Sequence, residues 1–411
     1  LALSRGCRDA VLPSHRRTDT LNGLRYRSPG RVKVSAMYRV TARCCFLLVA
    51  AFCALSVSSA VAADDIAALR EKAEKGDAKA QTILGEKYYF GIGVPKDPRE
   101  GGKWWRKAAE QGYAPAQFNL GASYDTGEGD PKAVKWYRKS AKQGYAPAQF
   151  HLGASYYFGR GVPKDPREGI KWFLKAAEQG HVKAQHNLGV IYHLRGGDQK
   201  DERKAVKWYR KAAEQGNVIA QFNLGALYQL GGGDVPKDER EAVKWYRKAA
   251  EQGFAPAQFN LGASYDTGKG VPKDSKEAAK WYRKAAEQGY ASAQVNLGIA
   301  YGTGKGVPKD LVTEYAWYNL AAAQGDQDAT KNRAIVARQM TPNQIAEAQR
   351  LSRQLATRIA NRKGQPRAPG NARPAPAAKL AVTGTGFFVT DDGYFVTNAH
   401  VVGDASRVQV M

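Results

Sequence analysis

Residues 255–289 have the sequence APAQFNLGASYDTGKGVPKDSKEAAKWYRKAAEQG, which predicts two helices joined by a loop. Pro256 suits the first turn of a helix, because its missing N–H would have no intrahelical partner there. Ala257, Leu261 and Tyr265 then recur at i, i+4 and i+8, which places them on one helical face. The first part of the stretch therefore predicts a helix with one packing face.

A second helix is predicted after the loop 267–273, whose glycines and proline cannot continue the first helix. Asp274 and Glu277 have the D-x-x-E spacing of a capping box, which marks a helix start. Gly289 is placed to end this helix in the left-handed conformation that glycine adopts without strain. The residues expected on the packing side of the second helix are Ala278, Trp281, Tyr282 and Ala285.

The same hairpin pattern recurs along the chain. A single hairpin cannot bury both of its faces, whereas stacked hairpins bury a continuous core. We therefore predict a mainly α fold, an αα-hairpin repeat solenoid with seven repeats in residues 63–325. The unit closed by Gly144 lacks the Val-Pro-Lys-Asp step, so we expect a shorter loop there rather than a lost helix. Glycines close the segments at Gly76, Gly112, Gly144, Gly180, Gly216, Gly253, Gly289 and Gly325, and a tryptophan stands eight residues before each of the last seven.

The repeat motifs are specific. The patterns L-G-x-x-Y at 261–265, G-x-G-V-P-x-D at 268–274 and A-x-W-Y-x-K-A-A-x-Q-G at 279–289 resemble the Sel-one-like repeat family, a relative of the tetratricopeptide repeat. The resemblance covers residues 78–325. It implies an αα-superhelix that commonly acts as a protein-binding adaptor, and it does not identify the partner.

Two segments follow the repeats. Residues 327–339 and 342–361 predict a further helix pair, and we expect the segment 326–360 to cap the open end of the solenoid. The second of these helices follows Thr341, which with Gln344 forms a capping-box pattern. Residues 361–379 are rich in Pro, Ala, Arg and Gly and predict an extended basic linker.

The N-terminal region predicts a leader. Residues 37–62 combine a short basic stretch, an apolar run too short to span a bilayer and small residues at the end, which is typical of a secretory signal peptide. We expect cleavage before Ala63 and no transmembrane anchor afterwards. Residues 1–36 are treated as an upstream segment without structure. Every cysteine lies before that cleavage site, so the mature chain is expected to have no thiol for a disulfide or a zinc site: Cys7, Cys44, Cys45 and Cys53.

The last segment, residues 380–411, changes to β-prone runs around an Asp-Gly hairpin signal. The stretches 384–389 and 393–402 resemble the start of HtrA/DegP-type trypsin-like serine peptidases. In that family the His of the T-N-x-H-V-V motif is the general base of a Ser-His-Asp triad, which implies that role for His400. We expect a truncated β-hairpin fragment of a trypsin-like β-barrel, catalytically incomplete because Asp and Ser partners in register with His400 do not occur before Met411. The nearby candidates rejected for those two roles are Asp391, Asp392, Asp404 and Ser406, which lie in or beside turns.

Other candidate sites favour structural roles. The tryptophan–tyrosine pairs recur at a fixed helical position, which favours core packing over stacking on a ligand. The Gly-Lys-Gly loops lack the ending of a P-loop and are predicted to be turns. Four histidines occupy positions where sister repeats carry other residues, which favours repeat variation over a metal site: His151, His181, His186 and His193. We predict no cofactor and no metal.

The expected function is that of a secreted, periplasmic bacterial protein. Its solenoid is expected to bind a protein or peptide partner and to be attached to a trypsin-like serine endopeptidase domain. The alternative is a non-catalytic interaction adaptor whose peptidase-like tail is vestigial. A third hypothesis, a basic envelope protein that holds anionic polymers, depends on the net charge of +25 alone. Specific nucleic-acid binding is disfavoured because the leader directs the chain out of the cytoplasm.

Overall fold

The chain forms a stack of α-helices in the computed structural model, which describes residues 65–125, 129–194, 199–232, 234–364, 387–389 and 395–397. A first helix, α1, covers residues 65–74, and each repeat then adds a first and a second helix. From α2 to α16 each helix packs against the next helix in the chain. An array in which each unit contacts its neighbours is a solenoid, so the predicted mainly α repeat fold is confirmed.

The helices of the repeats have nearly equal lengths. The unit with the short loop keeps both of its helices, α4 and α5, as predicted. In order, the pairs are α2 (Ala78–Phe90) and α3 (Pro98–Glu110), α4 (Ala114–Tyr124) and α5 (Pro131–Lys142), α6 (Ala146–Phe158) and α7 (Pro166–Glu178), α8 (Val182–Leu194) and α9 (Gln199–Glu214), α10 (Val218–Leu230) and α11 (Glu239–Glu251), α12 (Ala255–Thr267) and α13 (Ser275–Ala286), α14 (Ala291–Thr303) and α15 (Leu311–Ala322).

Aspartate caps the second helices, but the predicted capping box is only half formed. The side chain of Asp274 accepts from the backbone N–H groups of Lys276 and Glu277, at 2.9 and 3.1 Å. The carboxylate of Glu277 pairs with Lys280 at 2.9 Å and does not return to the cap. The backbone N–H of Asp274, which a box would satisfy, already donates to the carbonyl of Tyr265 at 2.9 Å. Because the turn between the helices already provides an acceptor for this N–H, Glu277 is not required as its acceptor.

Each repeat brings its two helices together at a glycine of the first helix. A Cβ at Gly262 would lie 2.8 Å from the Cδ1 atom of Tyr282, whose side chain is buried. A Cβ at Gly189 would lie even closer, 2.4 Å, to Tyr209. The absence of a side chain at Gly262 therefore permits the close approach of the two helices. The predicted packing side of the second helix is buried as well: Ala278, Trp281, Tyr282 and Ala285.

A ladder of glutamine side chains links the repeats, and the sequence analysis did not predict it. Nε2 of Gln258 donates to the carbonyl of Ala250 in the preceding repeat at 3.0 Å. Oε1 of Gln258 accepts from Nε2 of Gln288 at 2.7 Å. Since a buried amide with partners on both sides fixes register, these bonds position one repeat on the next. The equivalent pairs are Gln111–Gln81, Gln143–Gln117, Gln179–Gln149, Gln215–Gln185, Gln252–Gln221 and Gln324–Gln294.

Two helices, α16 (Gln327–Ala337) and α17 (Pro342–Gly364), follow the repeats. The predicted capping box between them is complete, because Thr341 N–H donates to Oε1 of Gln344 at 2.9 Å and Gln344 N–H donates back to Oγ1 of Thr341 at 3.3 Å. Both helices pack against α15. They cover the last repeat with a small apolar cluster that includes Tyr318, Ala329, Val336 and Ala348.

The only strands among the described residues are β1 (Phe387–Val389) and β2 (Phe395–Thr397). They pair antiparallel, with Phe388 opposite Val396. Two strands of this length do not test the predicted peptidase fold, which stays a prediction.

Candidate functional site

The repeat array has two surfaces of opposite character. We call the exposed surface of α2, α4, α6, α8, α10, α12 and α14 the first-helix face, and that of α3, α5, α7, α9, α11, α13 and α15 the second-helix face. Helices α4, α6, α10 and α14 contain no Asp, Glu, Lys or Arg. In contrast, α5 has no acidic residue and carries Lys132, Lys135, Arg138, Lys139 and Lys142. The first helices therefore carry mainly rings and amides, with charged side chains only in α2, α8 and α12, whereas the second helices carry most of the charge.

Aromatic ring pairs join neighbouring first helices. The ring of Phe118 lies 5.6 Å from that of Tyr145, and Phe259 lies 5.4 Å from Tyr290. In each pair the first ring belongs to a first helix and the second ring stands at the N-cap position of the next first helix. These four rings are half-buried, so one edge of each pair is accessible. The other two pairs are Phe150–His181 at 4.8 Å and Phe222–Phe254 at 5.3 Å.

In three of the four ring pairs the ring at the N-cap position replaces a helix cap, whereas His181 of the fourth pair both stacks and caps. Tyr145 and Tyr290 make no side-chain cap hydrogen bond, although a capping side chain contributes about 1 kcal/mol. Asn217 and Asp326 do cap their helices, and the helices before them carry His186 and Val295 in place of phenylalanine. A polar N-cap side chain is thus found at these two positions, where the preceding first helix lacks the phenylalanine. The exception is Tyr113, which makes no cap hydrogen bond although Thr82 stands at the phenylalanine position of the preceding first helix. At Tyr145, Phe254 and Tyr290 the ring contact therefore takes the place of a cap hydrogen bond.

The histidines of the first helices are neutral near pH 7. Burial lowers the pKa of His151, His181 and His186 to about 4 in each case. Nδ1 of His181 accepts from the N–H of Ala184 at 3.2 Å, so this side chain caps α8 while its ring stacks on Phe150. No group of three or more His, Cys, Asp or Glu side chains that could hold a metal occurs in the part of the chain that the structure describes.

The charges of the second-helix face are engaged within the array. In four of the repeats the first lysine of the motif pairs with a glutamate one turn earlier, as in Lys280–Glu277 at 2.9 Å. The last lysine lies over the tryptophan ring, with Nζ of Lys284 3.7 Å from the centroid of Trp281. Between them, Arg283 donates to the hydroxyl of Tyr301 in the next repeat at 2.6 Å. The K-W-Y-R-K motif thus has its charged groups on the outside of the helix and its tryptophan–tyrosine pair on the packing side.

The residue singled out for catalysis, His400, lies outside the described residues, and so do the leader and residues 365–379 of the predicted linker 361–379. Residues 361–364 belong to α17 rather than to an extended segment. Nothing is observed of the geometry of His400, and its role stays a prediction. No helix within the described ranges is long and apolar enough to cross a membrane.

Comparison with known proteins places the repeats in a family. The Sel1 repeat matches seven consecutive segments of this chain: residues 78–113, 114–145, 146–181, 182–217, 218–254, 255–290 and 291–326. A solved Sel1 repeat protein from Oxalobacter formigenes is similar at 35% identity with a TM-score of 0.51, covering 66% of this chain and 80% of that one. A protective antigen of uropathogenic Escherichia coli with an SLR fold is also 35% identical, with a TM-score of 0.47 and coverage of 75% and 76%.

A short segment matches a different class of protein. Over 38 residues the chain is 55% identical to a probable periplasmic serine endoprotease, DegP-like, from Chlamydia muridarum. That match covers 9% of this chain and only 8% of the chlamydial protein. A DegP-like protein of Chlamydia pneumoniae matches to the same extent.

Proposed function

The chain belongs to the Sel1 repeat family, and from that premise we propose that its repeats bind a segment of another protein on the first-helix face. The carrying observation is the row of uncharged ring pairs that runs from Phe118–Tyr145 to Phe259–Tyr290. Aromatic side chains supply much contact area and are enriched where proteins bind each other. An extended segment with apolar or aromatic side chains suits this chemistry better than a highly charged one.

The second-helix face is less suited to a peptide partner. Many of its lysines and arginines already contact glutamate, tryptophan or tyrosine side chains of the array. Because an exposed ion pair contributes only about 0–1 kcal/mol, a charged partner would gain little from new ion pairs on this face. A partner would have to displace these contacts before it gained its own.

Two substitutions taken from sister repeats test this proposal. In Tyr145→Asp and Tyr290→Asp the ring is exchanged for the N-cap residue that Asp77 and Asp326 provide in this chain, so the fold should be retained. Binding of short synthetic peptides, one set aromatic and one acidic, is measured by fluorescence anisotropy. We expect the aromatic set to bind and each variant to weaken it about tenfold, the loss of roughly 1.4 kcal/mol.

The matched control removes charge from the other face. Lys139→Ala and Lys284→Ala, whose ammonium groups lie over Trp136 and Trp281, should leave aromatic-peptide binding unchanged. Preference for acidic peptides, together with loss of binding in these lysine variants, would assign the partner to the second-helix face and refute the proposal.

We further propose that residues 380–411 begin a trypsin-like serine endopeptidase domain that follows the linker 361–379. The short match to the DegP-like chlamydial protein supports this, although the whole activity of that protein is not carried by 8% of its length. In such a domain His400 would take the proton from a serine hydroxyl and return it to the leaving amine. The repeats would then recruit or position a protein for cleavage.

The alternative is a non-catalytic adaptor with a vestigial peptidase-like tail. The coding sequence downstream of Met411 separates the two, because the peptidase requires an orienting Asp and a Gly-x-Ser-Gly nucleophile in register with His400. In the full-length protein, His400→Ala should then abolish peptide hydrolysis and leave binding to the repeats intact. A downstream domain that lacks either residue would favour the adaptor.

We propose a periplasmic location on the pattern of residues 37–62. The matched chlamydial protein is itself named as periplasmic. Expression in a bacterial host followed by N-terminal sequencing of the periplasmic fraction should give Ala63 as the first residue. Recovery of the uncleaved chain from the cytoplasm alone would contradict this proposal.

A further inference from the structure

A cleft opens at the end of the array, where the repeat pattern stops. It has a volume of about 490 Å³ and lies between α15, α16 and α17. Its size falls within the range of sites for small organic ligands, roughly 300–1,000 Å³. Besides Ala334, the lining residues are Tyr315, Asn319, Arg333, Ala337, Gln349 and Arg353.

The cleft exists because one pair of side chains is missing. In other repeats an arginine of the second helix donates to a tyrosine hydroxyl eighteen residues later, as in Arg247–Tyr265 at 2.8 Å and Arg283–Tyr301 at 2.6 Å. The same register in the last repeat places Asn319 and Ala337 at these two positions. Two smaller side chains therefore stand where a guanidinium and a phenol ring fill the space elsewhere, and both of them line the cleft.

The cleft is positively charged. Arg333 from α16 and Arg353 from α17 line it, and no aspartate or glutamate is among its lining residues. Nη1 of Arg333 donates to Oδ1 of Asn319 at 2.7 Å, so a neutral amide holds this guanidinium in place. Within the described ranges neither guanidinium forms an ion pair, unlike Arg362, which pairs with Glu287 at 2.8 Å.

The remaining walls combine amide and apolar groups. The amide of Gln349 can donate to an oxygen or accept from a hydroxyl, and the ring of Tyr315 and the methyl group of Ala337 supply apolar contact. Guanidinium groups bind carboxylate and phosphate oxygens in a fixed, often bidentate geometry. The arrangement therefore combines oxyanion recognition with a surface for a small organic body.

We infer that this cleft binds a small organic anion, with its carboxylate or phosphate group against Arg333 and Arg353 and its apolar part against Tyr315 and Ala337. The site is separate from the first-helix face, and its existence does not depend on the partner proposed for that face.

The test is calorimetric titration of the full chain with three probes of similar shape: phenyl phosphate, benzoate and benzyl alcohol. Both anions should bind at millimolar concentration and the alcohol should not, with the tighter anion identifying the oxyanion that the site prefers. Arg353→Gln, at an exposed position, should weaken anion binding about 10- to 100-fold, as expected for loss of a charged hydrogen-bond donor.

A second variant fills the cleft without removing an arginine that lines it. Asn319→Arg combined with Ala337→Tyr introduces the pair found in most of the array and should abolish binding while the helical circular dichroism signal is retained. Arg358→Gln, on the same helix but outside the cleft, should bind the anions like the unmodified chain. The inference is overturned if neither anion binds, if the filled variant binds unchanged, or if Arg353→Gln and Arg358→Gln lose affinity equally.

Discussion

Replacing Gly189 by alanine should destabilise the array even though alanine is the better helix former. Gly189 lies in α8, and a Cβ there would come within 2.4 Å of Cδ1 and 2.7 Å of Cε1 of Tyr209. The Tyr209 side chain is 0% exposed, so its ring is enclosed and has no space to move into. One of the two groups must therefore shift against a filled core.

The two opposing free energies can be compared. Alanine gains about 1 kcal/mol over glycine in a helix interior. Overpacking a filled core costs about 1–3 kcal/mol, with the upper end where the neighbour cannot yield. Because the Tyr209 ring is enclosed, we expect the second effect to win and Gly189→Ala to lose about 2 kcal/mol of unfolding free energy.

Gly102→Ala is the matched control. Gly102 lies inside α3, and a Cβ there would have no heavy atom within 4 Å, so only the helix propensity acts. This variant should gain about 1 kcal/mol. The pair of substitutions thus has the same chemistry and opposite expected signs.

Urea unfolding followed by circular dichroism compares the midpoints of Gly189→Ala, the unmodified chain and Gly102→Ala, which should rise in that order. Because a repeat array need not unfold in one step, hydrogen exchange of amides in α8 and α9 supplies the local free energy. Equal stabilisation by Gly189→Ala and Gly102→Ala would refute the close approach of the two helices at Gly189.

Three further predictions concern other parts of the repeat. Gln258→Leu should lower the unfolding free energy by about 1–3 kcal/mol, because it removes two side-chain hydrogen bonds, while the Ala250 carbonyl keeps its backbone bond from Gly253. The exposed Gln354→Leu is its control in urea unfolding, and equal midpoints for the two would count against the ladder. His186→Phe should remove part of the acid sensitivity of the fold. Because burial lowers the pKa of His186 to about 4, the contribution of the neutral side chain to the unfolding free energy is complete above pH 6.5 and falls by roughly 3 kcal/mol as the pH drops toward 4. The thermal stabilities of the variant and the unmodified chain should therefore diverge only below pH 6.5. Asp274→Ala should cost about 1 kcal/mol through the lost cap, seen as faster hydrogen exchange in the first turn of α13, and unchanged exchange there would contradict the cap.

The sequence predicted the architecture because the repeat multiplies weak signals. A single pattern such as Ala257, Leu261 and Tyr265 favours a helix only modestly, but seven copies fix the unit, its turns and its boundaries. The Trp281–Tyr282 pair was assigned to the core for the same reason, and it is buried. The complete box at Thr341 was also predictable, since both of its partners are local in sequence.

The features that were not predicted depend on contacts between different helical segments. The D-x-x-E spacing suggested a box at Asp274 because sequence cannot show that the Tyr265 carbonyl already takes the Asp274 N–H. The bonds from Gln258 to Ala250 and from Gln288 to Gln258 join helices whose relative position is set by packing. The recurrence of these glutamines in every repeat was the available signal, but a polar residue in a repeat can equally well be solvated.

The candidate surfaces were less predictable than the fold. The first-helix face and the second-helix face differ in charge because most of the charged residues lie in the second helices. The sequence shows this difference only after each helix has been assigned to one of the two faces. The cleft at Asn319 and Ala337 could have been found by aligning the last repeat with its sisters, because both positions depart from the arginine–tyrosine pair. The positive charge of the cleft could not be found in this way, because Arg333 and Arg353 belong to α16 and α17, which lie outside the repeat pattern.

Hydrogen exchange of the full chain, with and without a bound aromatic peptide, tests most directly the claim that the first-helix face is the binding surface. Binding on this face should add protection in α6, α8, α10 and α12 and at the N-cap segments that carry Tyr145, His181, Phe254 and Tyr290, with α7, α9 and α11 unchanged. Protection confined to the second helices, or spread evenly over both sets, would contradict it.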